Sequence, residues 1–152
     1  MTTAAATAET PIGERPDVLR RIHELLGLPR VKSDHDLLRL VEQGLSTQAI
    51  DSLRRHGLED DEVYALLPRR TLAHRRARRE RLSREESDRV VRVARIAALA
   101  QQVFGEPERA WRWLRDGKRQ FQGRSPLQLA ATDAGARLVE AALYRIDEGM
   151  AA

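Results

Sequence analysis

The fold is decided by the segment EDDEVYALLPRRTLAHRRARRERLSREE, residues 59–86. Its first part carries apolar residues at helical spacing, which predict a short helix that stops before Pro68. Arginine then dominates as far as Arg81. Ser83 to Glu86 has the spacing of a capping box, which predicts that a new helix begins there. The segment is therefore predicted to contain a short helix, a turn, a basic helix and the start of a long helix.

Helical periodicity continues on both sides of this segment, and alanine and leucine are abundant where valine, isoleucine and threonine are sparse. Proline or hydroxyl residues at predicted starts and glycines at predicted ends delimit the other helices. We predict an all-α protein with a disordered tail (1–15), a helical N-terminal domain (16–82) and a second domain for dimerisation and partner binding (83–152).

Charge is unevenly distributed along the 152 residues. The chain has 27 basic and 23 acidic side chains, and 25 of the basic residues are arginine. Residues 69–95 contain eleven arginines and four acids, a net charge of +7. A solvated helix face with ion pairs is the ordinary explanation of such a run. Its densest part, seven arginines with one acid in residues 69–81, instead favours phosphate binding.

The composition excludes several kinds of chemistry. The absence of cysteine removes disulfides, thiolate metal sites and cysteine nucleophiles. The four histidines lack metal-ligand spacing, and no phosphate-binding loop, dinucleotide fingerprint or serine-hydrolase motif occurs. We therefore expect no catalytic residue, no metal and no cofactor. Met1 to Gly13 has no features of a signal peptide, so a cytoplasmic protein that does not contact a membrane is expected.

Three pairs of helices could form a helix-turn-helix, the DNA-binding motif that places its second helix in the major groove. The first uses Gly44-Leu45 as the turn and residues 46–56 as the reading helix. The second uses Gly57-Leu58, but its reading helix would begin with four acids. The third uses Leu67-Pro68 and a basic reading helix, residues 69–80. Charge favours the third.

In the third register, one side of the reading helix carries the candidate DNA-binding residues. Arg70 and Arg75 are candidates for guanine contacts, and Arg78 and Arg81 for phosphate contacts. Leu72, Ala73 and Ala77 are predicted to face the domain, with Arg76 laying its stem across the edge of the core. The candidate DNA-binding residues within the reading helix are Arg69, Arg70, Thr71, His74, Arg75 and Arg78, and Arg81 follows that helix.

The second domain shows two apolar patterns. The arc over residues 84–104 is wider than one core-facing stripe needs, so this helix is predicted to contact both its own core and a second chain. The last helix has a predicted core stripe of Leu138, Val139, Ala142, Leu143 and Ile146. Of Trp111 and Trp113, which point to different sides of one helix, one is expected in the core and the other partly exposed.

Several spaced motifs carry a resemblance to a known family. They are LPRRTLAHRR (67–76), LSREESDR (82–89), VFGEPERAWRWL (103–114), GRSPL (123–127), TDAGA (132–136) and LYRIDEG (143–149). In this order they resemble the Xre/MbcA/ParS antitoxins, the partners of RES-domain toxins. The resemblance covers about residues 57–150 and is weak over residues 1–56.

The resemblance implies an all-helical, non-enzymatic protein with an Xre-like helix-turn-helix domain followed by a toxin-binding domain at residues 83–152. RES toxins resemble ADP-ribosyltransferases and degrade NAD, and the antitoxin blocks the NAD pocket. Antitoxin and toxin together are expected to bind and repress their own promoter. A different class stays open, namely a stand-alone helix-turn-helix regulator whose C-terminal half only dimerises or senses something else.

The end of the chain is the candidate for the residues that block the toxin. Arg145 could pair with a carboxylate in the toxin's pocket. Gly149, Met150, Ala151 and Ala152 would follow it there. The simpler interpretation is that Gly149 only ends the last helix.

Overall fold

The computed structural model describes residues 15–29 and 31–149, and every regular element in them is helical. The predicted all-α class is therefore confirmed. A 3-10 helix (Arg119–Phe121) lies between the seventh and eighth α-helices. The α-helices are α1 (Pro16–Leu26), α2 (Asp34–Gln43), α3 (Gln48–Arg55), α4 (Asp60–Leu66), α5 (Arg69–Ala77), α6 (Arg84–Phe104), α7 (Pro107–Arg115), α8 (Pro126–Leu129) and α9 (Asp133–Asp147).

The helix ends follow local signals in the sequence. The Ser83 hydroxyl accepts a hydrogen bond from the backbone N–H of Glu86, and the Glu86 carboxylate accepts one from the backbone N–H of Ser83. This capping box satisfies two donors that the first turn of α6 would otherwise leave unpaired. The same reciprocal arrangement joins Ser125 and Gln128 at α8. Gly27 ends α1 in the left-handed region, with φ +61°.

The long helix α6 forms the centre of the molecule, with α1, α2, α7 and α9 packed around it. Its residues 96–100 are fully buried by these neighbours. The wide apolar arc is thus covered by helices of the same chain, so it gives no support to the predicted contact with a second chain. The predicted domain boundary at residue 83 lies at the start of α6. Helices from both sides of that boundary pack against α6.

Helix α7 is joined to the turn between α3 and α4. Trp111 is 4% exposed, and its Nε1 donates to the carbonyl of His56 over 2.8 Å. A Cβ on Gly57 would lie 2.4 Å from that nitrogen, so the close approach requires glycine. The Arg115 guanidinium, 5.2 Å from the Trp111 ring, also bonds Glu62 at 2.8 Å. As predicted, one tryptophan is in the core and Trp113 is partly exposed.

The start of α9 is packed unusually close to α8. A Cβ on Gly135 would lie 2.0 Å from the backbone oxygen of Leu129. Because a backbone atom cannot rotate away as a side chain does, only glycine permits this approach. The Thr132 hydroxyl caps the same turn by accepting from the Gly135 N–H over 3.0 Å. The TDAGA motif therefore seats α9 against α8.

The predicted apolar face of α9 is wrong in detail. Leu138, assigned above to the core stripe of α9, is 55% exposed, and Ile146 is only partly buried. Val139, Ala142 and Leu143 are buried as predicted. On α2, Leu38 is 49% exposed while Leu37 and Val41 are buried. Helical periodicity therefore predicted which side of α9 is buried, but it assigned to the core residues that lie at the margin of that side.

The predicted disordered tail lies almost entirely outside the described residues. Arg15 is described, and its guanidinium pairs with Asp147 at 3.0 Å, which joins the start of α1 to the end of α9. None of the helices within residues 15–29 and 31–149 is long and apolar enough to cross a membrane. The same residues contain no cluster of histidine and acidic side chains suited to holding a metal ion.

Candidate functional site

The third predicted helix-turn-helix register corresponds to α4, Leu67-Pro68 and α5. Leu67, 1% exposed, anchors the turn in the core, and Pro68 precedes the first residue of α5. Proline cannot continue α4 because it lacks a backbone N–H, which explains the break at this point. Leu72 is the one buried residue of α5. The other residues of this helix are exposed or partly exposed.

Arg69 is held at the turn by Tyr64 of α4. The Arg69 guanidinium carbon lies 5.0 Å from the centre of the Tyr64 ring. A hydrogen bond from Arg69 is the main cause that lowers the pKa of the Tyr64 hydroxyl. The same hydroxyl accepts from Arg54 of α3 over 3.2 Å. Tyr64 therefore gathers two guanidinium groups at the end of the turn.

Arg75 lies between two carboxylates. Its Nε is 3.1 Å from Glu86 Oε1, and its Nη1 is 3.0 Å from Glu80 Oε2. Burial acts to raise the pKa of Glu86, but the backbone N–H of Ser83 and the guanidinium of Arg75 outweigh it and hold that pKa below its ordinary value. Because Glu86 also completes the capping box, Arg75 ties α5 to the first turn of α6.

Arg70, His74 and Arg78 form the open face of α5. They are spaced four residues apart, so they lie on one side of the helix, and all three are exposed. The Arg78 side chain is 66% exposed, with its closest carboxylate oxygen, on Glu80, 4.0 Å away. Thr71, partly buried, borders this face. We call Arg70, His74 and Arg78 the basic stripe.

The back of α5 differs from the sequence prediction. Ala73 and Ala77, expected to face the domain, are exposed. Arg76, expected to lay its stem along the core, instead pairs with Asp51 of α3, with 2.5 Å between Nη2 and Oδ1. The helix is therefore attached through one leucine and a set of ion pairs rather than through an apolar face.

The two other candidate reading helices are occupied by contacts within the chain. Ile50 and Leu53 of α3 are fully buried, and α3 packs between α1 and α4. Arg54, one of its two arginines, is engaged with Asp60 at 2.9 Å. The acids at the start of α4 face basic groups, including Arg115 of α7. Neither helix offers a free basic face comparable to that of α5.

Arg79 is a candidate DNA contact that the sequence reasoning missed. It follows α5 with φ +55°, in the left-handed region that glycine normally occupies. The Arg79 N–H donates to Arg76 O, and the Glu80 N–H donates to Arg75 O. This pattern is a Schellman motif, which closes the C-terminus of α5. This motif could not be predicted from the sequence, because arginine is not typical of the left-handed position that closes a helix.

The segment after α5 is fixed to the connection between α2 and α3. The Leu82 N–H donates to Leu45 O over 2.8 Å, and the Leu45 N–H donates to the Ser87 hydroxyl over 2.9 Å. Arg81, predicted to hold a phosphate, donates from Nη1 to the carbonyl of Gly44 over 3.0 Å. These bonds hold α5 from its C-terminal side as Tyr64 does from its N-terminal side.

Two of the predicted toxin-blocking residues, Arg145 and Gly149, are described by the structure. Arg145 is partly buried, and its Nη2 donates to Gln120 Oε1 over 3.4 Å. Gly149 has φ +77° and open space around it. Met150, Ala151 and Ala152 lie outside the described residues. Arg145 therefore lies in the last turn of α9 and Gly149 just after that helix, whereas the basic stripe lies on α5.

Helix α9 carries a partly buried carboxylate, Glu140. Burial is the main cause that raises the pKa of Glu140. Arg95 of α6, whose Nε lies 3.4 Å from Glu140 Oε1, opposes this without overcoming it. The same guanidinium bonds Asp34 of α2 at 2.9 Å. Arg95 therefore links α2 and α9 to α6.

Comparison with known proteins gives two family matches that together cover most of the described chain. Residues 36–95 match the antitoxin Xre-like helix-turn-helix domain. Residues 99–149 match the antitoxin Xre/MbcA/ParS C-terminal toxin-binding domain. The first match contains α3, α4 and α5, and the second contains α7, α8 and α9. The two matches meet inside α6.

Two curated relatives extend the similarity over nearly the whole chain. An antitoxin Xre of Pseudomonas putida is 37% identical over 130 residues, which are 85% of this chain and 82% of that protein. An antitoxin Xre of Yersinia enterocolitica is 28% identical over 135 residues, 86% of this chain and 90% of that protein.

A helix-turn-helix domain with an exposed basic helix, joined to a domain of the toxin-binding type, defines the chain as an antitoxin of a toxin–antitoxin pair. The extent and identity of the similarity to the Pseudomonas putida protein make the family plain. The chain belongs to the Xre antitoxins.

Proposed function

We propose that this antitoxin binds the operator of its own operon through α5 and neutralises a RES-type, NAD-degrading toxin by covering its active site. It would do so in the cytoplasm, without catalysing a reaction itself. A homodimer within a larger toxin–antitoxin complex would present two copies of α5 to the two half-sites of a palindromic operator. The basic stripe is the observation that carries the DNA-binding half of this proposal.

The basic stripe suits DNA because its side chains are exposed to solvent. Within the described residues, no hydrogen bond or ion pair engages the side chain of Arg70 or of His74. Arg70 and His74 are placed to reach base edges, and Arg78 and Arg79 to hold phosphates at the end of the helix. A guanine contact by Arg75 would require it to leave Glu86. We therefore propose that Arg75 and Arg69 chiefly orient α5, with Thr71 at the edge of the contact.

The DNA-binding half is tested with a promoter fragment and a matched pair of variants. The double variant Arg70→Ala/Arg78→Ala is expected to lose operator preference because Arg70 reaches base edges, and the slope of log affinity against log salt should become shallower by about one because the Arg78 phosphate contact is lost. Arg109→Ala/Arg112→Ala removes the same charge from exposed positions of α7 and should bind as the wild type does. Full operator affinity in the first variant would move the proposed site to residues 46–56.

The toxin-neutralising half rests on the match of residues 99–149 to a toxin-binding domain. The chain is co-expressed with the product of the adjacent gene, and co-purification and cellular NAD are measured. We expect the intact chain to bind the toxin and preserve NAD. Arg145→Gln and deletion of Gly149 to Ala152 should weaken protection, whereas Arg137→Gln, on an exposed part of α9, should not. Operator binding without toxin binding would instead indicate a stand-alone regulator.

A further inference from the structure

Leu138 is the exposed apolar residue of the toxin-binding domain. With 55% of its surface accessible, it is more open to water than any other large apolar side chain in residues 15–29 and 31–149. Its neighbours Val139 and Ala142 are buried. A single exposed leucine is common on protein surfaces. A contact of Leu138 with a partner must therefore be argued from the residues around it.

Leu138 shares a helix face with Arg145. Ala141 and Arg145 follow it by three and seven residues, which places all three within about 60° around the helix. Ala141 and Arg145 are partly buried, and Gln120 holds the Arg145 guanidinium through the 3.4 Å hydrogen bond. We call Leu138, Ala141 and Arg145 the α9 outer face. It combines an apolar side chain, a small one and an oriented cation along two helical turns.

We propose that the α9 outer face is the surface that docks on the toxin, with Leu138 entering an apolar pocket and Arg145 pairing with a carboxylate at the pocket's rim. This inference rests on the proposed function. We take the toxin as the partner of the α9 outer face because α9 lies within the residues that match the toxin-binding domain. Leucine and arginine side by side suit a protein partner, because the leucine gains by leaving water while the guanidinium supplies directional bonds.

Charge disfavours a nucleic acid as the occupant. The segment from Asp133 to Gly149 contains four acids and two arginines, a net charge of −2. Asp133 and Asp147 lie at the two ends of the helix that carries the face. Arg15 pairs with Asp147 and Arg95 with Glu140, so α9 carries no excess of cations that would attract phosphates, in contrast to the basic stripe. The face also leads along the helix toward Gly149, where the proposed toxin-blocking residues begin.

The test compares Leu138→Lys with Leu38→Lys. Leu38 has nearly the same exposure, 49%, but lies on α2, outside the toxin-binding domain. Purified full-length variants are titrated with the RES-domain toxin encoded by the adjacent gene. We expect Leu138→Lys to weaken binding about 30-fold, the size of a typical hot-spot residue, and Leu38→Lys to bind within about twofold of wild type. Leu138→Gln should also weaken binding, and Leu138→Met should largely preserve it.

The outcomes separate this inference from the proposal beneath it. Wild-type protein that does not bind the toxin would overturn both. Wild-type binding with equal affinity in Leu138→Lys would overturn only the α9 outer face. An effect of Leu138→Lys on self-association alone would show that a second copy occupies the face and would also overturn the inference. Unchanged melting temperatures and helical circular dichroism exclude misfolding as the cause of a loss.

Discussion

Helices α5 and α9 each carry one of the two proposed binding surfaces, but they are attached to the molecule in opposite ways. In α5, Leu72 is the one buried residue, and ion pairs of Arg75 and Arg76 supply most of the other contacts. In α9, five residues are buried against α6 and α8. Most of the residues of α5 are therefore exposed to solvent, whereas α9 exposes chiefly the side that faces away from α6 and α8.

This difference has an energetic consequence. Ion pairs in partly exposed positions stabilise a fold by little, whereas a fully buried leucine contributes several kcal/mol. Damage to α9 should therefore lower the stability of the whole molecule. Damage to α5 should act more locally, so that DNA binding is lost before the fold is. Substitutions matched between the two helices test this expectation.

The largest effect is expected from one pair of leucine truncations. Leu143 of α9 is fully buried and Leu72 of α5 is 3% exposed. Leu143→Ala should lower the free energy of unfolding by about 3–4 kcal/mol, with a fall in Tm of about 10 °C. Leu72→Ala should cost about 2 kcal/mol, because a helix at the surface can settle into the space, yet it should remove operator binding. Thermal and urea unfolding, with operator titration, provide the measurements. Equal losses of stability would contradict the local attachment of α5.

A smaller effect, of opposite sign in the two regions, is expected with pH. Glu86, which binds Arg75 of α5, has its pKa held below the ordinary value of 4.5. Its stabilising contribution is therefore complete above that ordinary pKa and is lost as the pH falls through the lowered folded pKa. Glu140 of α9 has its pKa raised by burial. Its contribution is complete below the ordinary pKa and is lost as the pH rises through the raised folded pKa.

The corresponding glutamine variants separate the two carboxylates. Glu86→Gln should flatten the loss of stability in acid, below about pH 4.5. Glu140→Gln should gain stability relative to wild type as the pH rises from about 4.5 to neutral. Urea unfolding at a series of pH values measures both slopes. Slopes that change in the same direction for the two variants would show that one of these environments has been assigned incorrectly.

The sequence predicted the parts of the fold that depend on neighbouring residues. The capping box at Ser83, the break at Pro68 and the basic character of α5 are all local, and each is confirmed. The errors concern partners that lie far along the chain. Periodicity placed Leu138 on an apolar face, but it could not show that α6 and α8 cover only the part of α9 beside it.

The candidate DNA-binding surface was less completely predictable than the fold. The positions of Arg70 and His74 on one exposed side follow from helical spacing alone. The ion pair that engages Arg75 depends on Glu86, eleven residues later and in another helix. Arg76 meets Asp51, twenty-five residues earlier. Charge density located the surface, but only the tertiary structure separates arginines that are open from those that hold the helix in place.

The smallest effect is expected at Arg79, where the substitution changes the strain of the backbone rather than a packed side-chain contact. Its φ of +55° strains any residue with a Cβ, and the Schellman motif at the end of α5 requires it. Arg79→Gly should therefore raise the free energy of unfolding by about 0.5–1 kcal/mol, partly offset by the greater freedom of glycine in the unfolded chain. Arg84→Gly, at the first turn of α6, provides a control that should destabilise. If Arg79 also holds a phosphate, the more stable variant should bind the operator less tightly, with a salt slope reduced by about one. A gain in stability with unchanged DNA binding would place Arg79 outside the interface and end the basic surface of α5 at Arg78.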